Sequence, residues 1–347
     1  MADRRALAAL LGLTALAGCS MAPPYQPPAV SVPATYAEAG PWVPAAPGDA
    51  APSQTWWTAF GDGTLDALET RLAADNPSLA VAVARYDLAR AYLAEVRAGL
   101  FPQIGAQATV TQNRQSDNRP LRGQKQPDLY AADTLGAQVS YEADLWGRIR
   151  RSNEAALAAY LRSEEARRGV RLLVASETAQ AYFELLGLDL QLQIARRTTE
   201  SFDATVSLFQ RRLEGGAASR LDTSRAVAAR AAAAATIPEL ERQILLKENE
   251  ISVLLGRLPG PIERQGSLLE RQPPPAIPAG LPSDLLERRP DVRAAEQLVR
   301  QTNAQVGVAQ AAYFPRFGLT ALAGALSTPL SDIVDGRTPA FSFASNL

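Results

Sequence analysis

The chain has 347 residues, with 35 Lys+Arg against 36 Asp+Glu, and a net charge of −1 offers no basic face for nucleic acid. It has no histidine and a single cysteine, which excludes imidazole bases, imidazole metal ligands, intrachain disulfides and Cys-cluster metal sites. Apolar residues reach 47% while aromatics are only 6%, and the alanine that makes up the difference suits long close-packed helices better than a bulky core.

Residues 1–18 read as a signal peptide: Arg4-Arg5, an apolar run from Ala6 to Ala17, then Gly18. The run is too short to stay in a bilayer as a spanning helix. Its end, Leu16-Ala17-Gly18-Cys19, resembles the bacterial lipoprotein signal, in which the cysteine thiol accepts a diacylglyceryl group. Cys19 is thus the expected lipid attachment site, and that covalent lipid is the only added group expected; no cofactor and no metal site are read. In such lipoproteins Ser20 after the cysteine, in place of Asp, favours the outer membrane. An ordinary signal with an incidental cysteine is the alternative. Residues 19–63 read as lipid anchor and tether, with nine prolines between Pro23 and Pro52.

Residues 64–258 read as a first structural repeat of helix, strand pair and long helical hairpin. A helical pattern begins near Thr64 with Leu65, Leu68 and Leu72, continues through Leu79, Val83, Leu88, Tyr92 and Val96, and ends at Phe101-Pro102. The period then changes to two. Ile104, Ala106, Ala108 and Val110 alternate with Gly105, Gln107, Thr109 and Thr111, and Leu135, Ala137, Val139 and Tyr141 alternate with Gly136, Gln138, Ser140 and Glu142. The polar segment between them, Asn113 to Asp133, reads as a loop. Two strands of about ten residues with one apolar face fit a membrane hairpin; a soluble hairpin packed on a core fits the alternation too.

Between Gly147 and Gly215 apolar residues recur every three or four positions, with Leu186, Leu190, Ile194, Phe202, Val206, Phe209 and Leu213 as one stripe. A helix of about 65 residues would be roughly 100 Å long, which implies a coiled coil or elongated bundle. Gly215-Gly216-Ala217-Ala218 breaks it. Ser219 can cap the next helix with Asp222 in its first turn. That helix runs to about Leu255 and is kinked or restarted at Pro238. The two make an antiparallel hairpin with its tip near residues 214–222. Residues 259–289, with Pro273-Pro274-Pro275 at the centre, read as a proline-rich linker.

Residues 290–347 repeat the first segment incompletely. At an offset of 213 residues Pro77 matches Pro290, Ala98 matches Ala311, Phe101-Pro102 matches Phe314-Pro315, and Gly105 matches Gly318. Phe317, Leu319, Ala321 and Ala323 then alternate as a third strand, and Phe341-Ser342-Phe343 begins a fourth.

Five motifs carry a family resemblance across nearly the whole chain: Trp56 to Asp62, Asp144-Leu145-Trp146-Gly147-Arg148, Leu254-Leu255-Gly256 with Pro259-Gly260, Leu281 to Val292, and the turn Gly216 to Asp222. The sequence resembles the outer-membrane factors of bacterial tripartite efflux pumps, the TolC-like family, in its lipoprotein branch. The resemblance implies an α+β fold in which membrane β-barrel strands join a long antiparallel, coiled-coil-like α-helical barrel in the periplasm. It implies a homotrimer, each protomer giving four strands to one twelve-stranded barrel. Gln107, Gln138, Ser140 and Glu142 would then face a wet lumen, and Ile104, Val139 and Tyr141 lipid. The turn Gly215, Gly216, Ala217, Ser219, Leu221 and Asp222 would contact a periplasmic adaptor protein that links it to an inner-membrane pump. Family members are typically over a hundred residues longer, the difference being most of the fourth strand and a second helical hairpin. The chain is thus expected to be C-terminally incomplete, as a fragment or as a natively short protein.

Other chemistry is set aside. Gly61-Asp62-Gly63 and Gly215-Gly216 lack the Lys-Ser/Thr of a phosphate loop. Ser219, Arg220 and Asp222 have no histidine to activate them. The expected function is a passive, lipid-anchored outer-membrane duct that catalyses nothing. The alternative is a non-conducting coiled-coil lipoprotein of the periplasm, and a periplasmic hydrolase is the third class.

Overall fold

The structure, a computed structural model, describes residues 24–33, 55–114, 116, 128–264, 266–270, 283–328, 330–336 and 338–346. Cys19 and the signal peptide lie outside the described residues. In chain order the elements are α1 (Gly63–Asp75), α2 (Pro77–Ala98), β1 (Gln103–Thr109), β2 (Gln112–Arg114), β3 (Leu129–Ala131), β4 (Asp133–Ala143), α3 (Arg148–Glu214), α4 (Arg220–Ala234), α5 (Ile237–Leu254), α6 (Asp284–Arg288), α7 (Pro290–Ala311), β5 (Phe317–Ser327), α8 (Leu330–Val334) and β6 (Pro339–Asn346). The α+β class is as expected. α3 is continuous for 67 residues. The chain divides into two compact units, one made of the described residues within Met1–Ala29, Asp87–Ser163 and Ala294–Leu347, the other of those within Val30–Tyr86 and Glu164–Arg293. These units cut across the two sequence repeats.

The first unit contains an antiparallel sheet in the order β1-β4-β5-β6. The segment expected as a polar loop, Asn113 to Asp133, contains β3 and overlaps β2, so part of it is strand. Gln112, Asn113 and Arg114 carry no apolar alternation, and their pairing comes from the ladder they extend. β2 and β3 keep the register of β1 and β4: Thr109 stands opposite Thr134, and Gln112 opposite Ala131. The Thr111 carbonyl accepts from the Ala132 amide across the interruption. Tyr25 is fixed on α7, where its hydroxyl donates to Glu296 at 3.4 Å and its ring lies 4.8 Å under the Arg300 guanidinium.

The second unit is built on helix packing. Trp57, Leu65 and Leu72 meet Val174, Tyr182, Leu185 and Leu186 of α3 and Ile244, Ile251 and Leu255 at the end of α5 in one buried cluster. Trp57 falls in the stretch read as tether, and Ile262, also in the cluster, in the stretch read as linker. Antiparallel packing of α3 on α4 and α5 shows in cross-pairs that run in opposite order along the chain: Glu184 with Lys247, Arg196 with Glu241, and Asp203 with Arg230. Each such exposed pair contributes at most about 1 kcal/mol, so the buried stripe carries the stability.

The helical stretch expected to start near Thr64 is two helices. Pro77 disfavours helical backbone at Asn76, which sits at φ −66°, ψ 123°. The Asn76 side chain then serves two elements. Its Oδ1 accepts the Leu79 amide at 2.9 Å, and its Nδ2 donates to the Leu254 carbonyl at 2.7 Å. The break expected at Pro238 is present, since α4 ends at Ala234 and α5 starts at Ile237.

One buried carboxyl breaks the pattern. Glu69 lies between Leu65 and Leu72 on the same face of α1 and is 0% exposed, and neither of its oxygens has a hydrogen-bond partner. Burial pushes its carboxyl up to about 8, against the lowering pull of the Arg171 guanidinium.

Candidate functional site

The sheet registers decide which side chains share a face. Ile104 stands opposite Val139, Val139 opposite Ala321, and Ala321 opposite Phe343. Side chains directly opposite lie on the same side of a sheet, so Ile104, Val139, Tyr141, Leu319, Phe341 and Phe343 form one apolar face across all four strands. Ile104, Phe341 and Phe343 are 78%, 79% and 81% exposed. A contiguous exposed apolar face of this kind marks contact with lipid or protein. Gln107, Gln138, Ser140 and Glu142 share the opposite face, with Thr320, Ser342 and Asn346. That face is not wholly polar: Leu322 stands beside Gln138, and Leu326 beside Thr134.

Glu142 is held more tightly than strand alternation implied. Arg148 grips it from the start of α3, Nε to Oε1 at 2.9 Å and Nη2 to Oε2 at 2.7 Å. Asp144 accepts the Ile149 and Arg150 amides at 3.1 and 2.8 Å and so caps α3. Trp146 donates its indole N–H to the Pro315 carbonyl at 2.9 Å and stacks on Phe314 with centroids 4.7 Å apart. The Asp144–Arg148 motif is therefore a strand-to-helix corner in which Asp144, Trp146 and Arg148 each hold a neighbouring segment. Sequence reading recognised the motif; the Glu142–Arg148 pairing needed the corner's geometry.

The helix-hairpin turn closes by backbone bonds. Gly216 takes φ +74°, a left-handed conformation that costs glycine little. The Ala217 amide reaches back to the Arg212 carbonyl at 2.7 Å, and the Gly215 amide to Arg211 at 3.1 Å. On the far side Ser219 and Asp222 form a reciprocal capping box: Ser219 Oγ accepts the Asp222 amide at 3.2 Å, and the Asp222 carboxylate accepts the Ser219 amide at 3.1 Å and hydroxyl at 2.7 Å. Those bonds, the hydroxyl's first, hold the Asp222 carboxyl below its ordinary range. Gly215, Gly216, Ala217, Ser219 and Leu221 are exposed, Leu221 at 58%. With Ser219 and Asp222 tied to each other, the turn presents small residues, Leu221 and the charged Arg220 outward.

Sequence reading missed the buried ion pairs of the second unit. Glu248 accepts Arg264 at 2.6 Å, Arg264 also reaches Asp189 at 2.6 Å, and the nearly buried Glu165 pairs with Arg168 and Arg293 at 3.1 and 3.0 Å. Glu165 and Arg168 are helical neighbours, but the pairings of Arg264 with Asp189 and Glu248 and of Arg293 with Glu165 join residues that no local period relates. Among the described residues no group of three or more Asp, Glu, His or Cys is arranged to hold a metal. No described helix is long and apolar enough to cross a membrane, which says nothing of the strands.

Comparison with known proteins gives a consistent result. The family pattern described as outer membrane efflux protein matches residues 69–257 and 281–347. A probable efflux pump outer membrane protein of Pseudomonas putida, TtgC, is 35% identical over 327 residues, which cover 92% of this chain and 66% of that protein. The outer membrane protein OprJ of Pseudomonas aeruginosa is 34% identical, over 98% of this chain and 71% of its own length. Among solved structures, the outer-membrane channel OprN superimposes with a TM-score of 0.83 at 30% identity, covering 94% of this chain and 72% of that one. The open state of the Neisseria gonorrhoeae outer membrane channel MtrE gives a TM-score of 0.80 at 28% identity over 94% and 72%. The chain thus spans slightly under two thirds of the TtgC protein's length.

Proposed function

This chain belongs to the outer membrane efflux protein family, and on that premise we propose that it is the outer-membrane duct of a tripartite efflux system, working as a homotrimer. It is an outer-membrane protein. The observation that carries the reading is the sheet, apolar and exposed on one face from Ile104 to Phe343 and bearing Gln107, Gln138, Ser140 and Glu142 on the other. In a closed barrel the apolar face meets lipid and the polar face lines water. The duct performs no chemistry and selects by the shape and wall polarity of the passage. Its energy comes from an inner-membrane pump reached through a periplasmic adaptor protein, and a lipid on Cys19 anchors it. Purified full-length protein in planar bilayers is expected to give stepwise conductance. Sealed bilayers at every protein concentration tried would overturn the duct and favour a non-conducting lipoprotein.

The adaptor contact at the turn has its own expected result. Ala217 is small and exposed, so Ala217→Trp adds bulk outside the fold at the surface an adaptor would cover. We expect adaptor binding by the full-length protein to weaken on the order of tenfold, with resistance to exported compounds falling and bilayer conductance unchanged. Unaltered binding and resistance would remove this turn from the contact.

A further inference from the structure

The polar face of the sheet carries almost no charge. Among the described residues of β1, β4, β5 and β6, only Asp133 and Glu142 are charged. Asp133 is buried and stands opposite Ser327, on the side of Leu135 and Val139. Glu142 is thus the one charged group on the face that bears Gln107, Gln138, Ser140, Thr320 and Ser342.

That charge is cancelled at short range. Arg148 meets both oxygens of Glu142, at 2.9 and 2.7 Å, in the bidentate geometry that makes the strongest guanidinium–carboxylate pairs. The pair is not sealed from water. Each side chain is 29% exposed, and both line a recess of about 540 Å³ with Tyr92, Phe101, Gln103 and Ser140. Solvent ions reach the pair, so a change in its net charge acts beyond the protein surface. The next carboxylate along the chain, Asp144, is also paired, with Arg150 at 3.3 Å. The strand end and its corner therefore hold two carboxylates and two guanidiniums, with no net charge.

In a homotrimer each of these residues recurs in every copy around the passage. An unpaired Glu142 would give a ring of carboxylates, and an unpaired Arg148 a ring of guanidiniums. Rings of one sign are what make pores select cations or anions. We propose that the Glu142–Arg148 pair sets the charge preference of the barrel passage. Paired, it leaves the strand wall neutral, and cations, anions and uncharged solutes pass alike. Loss of either partner makes the wall favour ions opposite in sign to the charge left behind. The proposal rests on the trimeric duct above and names the class of solute its barrel admits.

Screening separates such a wall from a change of shape. A fixed charge reaches about 30 Å into the passage at 0.01 M salt, but only about 3 Å at 1 M. Charge preference must fade over that range, whereas a narrowed passage stays narrow.

Reversal potentials of full-length protein in planar bilayers, with roughly 0.01 M KCl against roughly 0.1 M, test the pair. Arg148→Gln and Glu142→Gln each remove one charge and leave a hydrogen bond possible between the two side chains. Arg148→Gln is expected to raise the permeability ratio of K⁺ over Cl⁻ at least about twofold, and Glu142→Gln to lower it at least about twofold. The double variant is expected to return to the wild-type ratio, and both single shifts to vanish near 1 M KCl. Glu95 of α2 lines the same recess and is present in every variant, so the readout is the change from wild type. Ratios that stay at the wild-type value, or that move in the same direction in both single variants, overturn the proposal and leave the pair a brace between β4 and α3. Loss of conductance in both single variants overturns it too, because the pair is then needed for the fold. Absence of conductance from the unsubstituted protein would instead overturn the duct, and the charge preference with it.

Discussion

Wild-type protein is expected to lose stability steadily as pH rises from about 4.5 to about 8, and Glu69→Gln to remove that loss. Glu69 is 0% exposed with both carboxylate oxygens unbonded, and its carboxyl is raised from 4.5 to about 8 by burial. The folded state therefore holds a proton that the unfolded chain releases above its ordinary carboxylate range. Stability is full below the unfolded value, falls through the interval, and falls no further above the folded value. At about 1.4 kcal/mol per pH unit the interval amounts to roughly 5 kcal/mol. Glutamine keeps the shape and cannot ionise, so its denaturation midpoint stays level and overtakes the wild type with rising pH. Glu69→Leu goes further, because it leaves no buried polar group unpaired, and is expected to be the more stable protein at every pH. Arg171→Met takes away the cation that opposes the shift and should move the wild-type transition higher. Parallel midpoint curves for wild type and Glu69→Gln between pH 4 and 9 would show that Glu69 does not carry this proton.

Gly256→Ala is the second large effect, expected to destabilise the second unit by roughly 3 kcal/mol or more. Gly256 sits at φ +62° just past α5, where the Arg257 amide reaches back to Ser252 at 3.0 Å. A left-handed alanine costs about 1–2 kcal/mol on its own. Its Cβ would also run into the Asp75 carbonyl oxygen and lie 3.5 Å from Pro77 Cδ. Those obstacles are backbone and a ring, which cannot rotate away, and overpacking of this kind adds about 1–3 kcal/mol. The corner has a second lock, since Asn76 donates to the Leu254 carbonyl in the same place. Asn76→Ala removes that bond and the α2 cap together, and should couple with Gly256→Ala rather than add to it. Urea midpoints of the single and double variants measure both effects. A single-variant loss under about 1 kcal/mol would mean that the corner relaxes at little cost.

Much of this was legible in sequence, for definable reasons. The long helix, its break at Gly215-Gly216 and the capping box at Ser219 and Asp222 were readable because each depends on neighbours within four residues. Strand alternation assigned Ile104 and Val139 to one side and Gln107 and Gln138 to the other because the period of a strand is two. β2 and β3 were missed because each is three residues long, Gln112-Asn113-Arg114 all polar and Leu129-Tyr130-Ala131 without alternation, and neither leaves a period-two trace. Trp57 and Ile262 were read into a tether and a linker because proline content was weighed over a single buried side chain.

What the sequence determined by itself was local and periodic: helix lengths, caps, strand faces, the 213-residue repeat and the motifs of the family. Those follow from backbone geometry that a few adjacent residues settle. Only the tertiary structure decided that Arg148 holds Glu142, that Asn76 and Gly256 interlock two distant helix ends, and that Glu69 is sealed from water without a partner. Arg148 and Glu142 are six residues apart but meet only because the chain turns a corner between them, and the other two depend on residues brought together from far along the chain. The energy of a buried charge or a close backbone approach lies in that meeting and not in either segment alone.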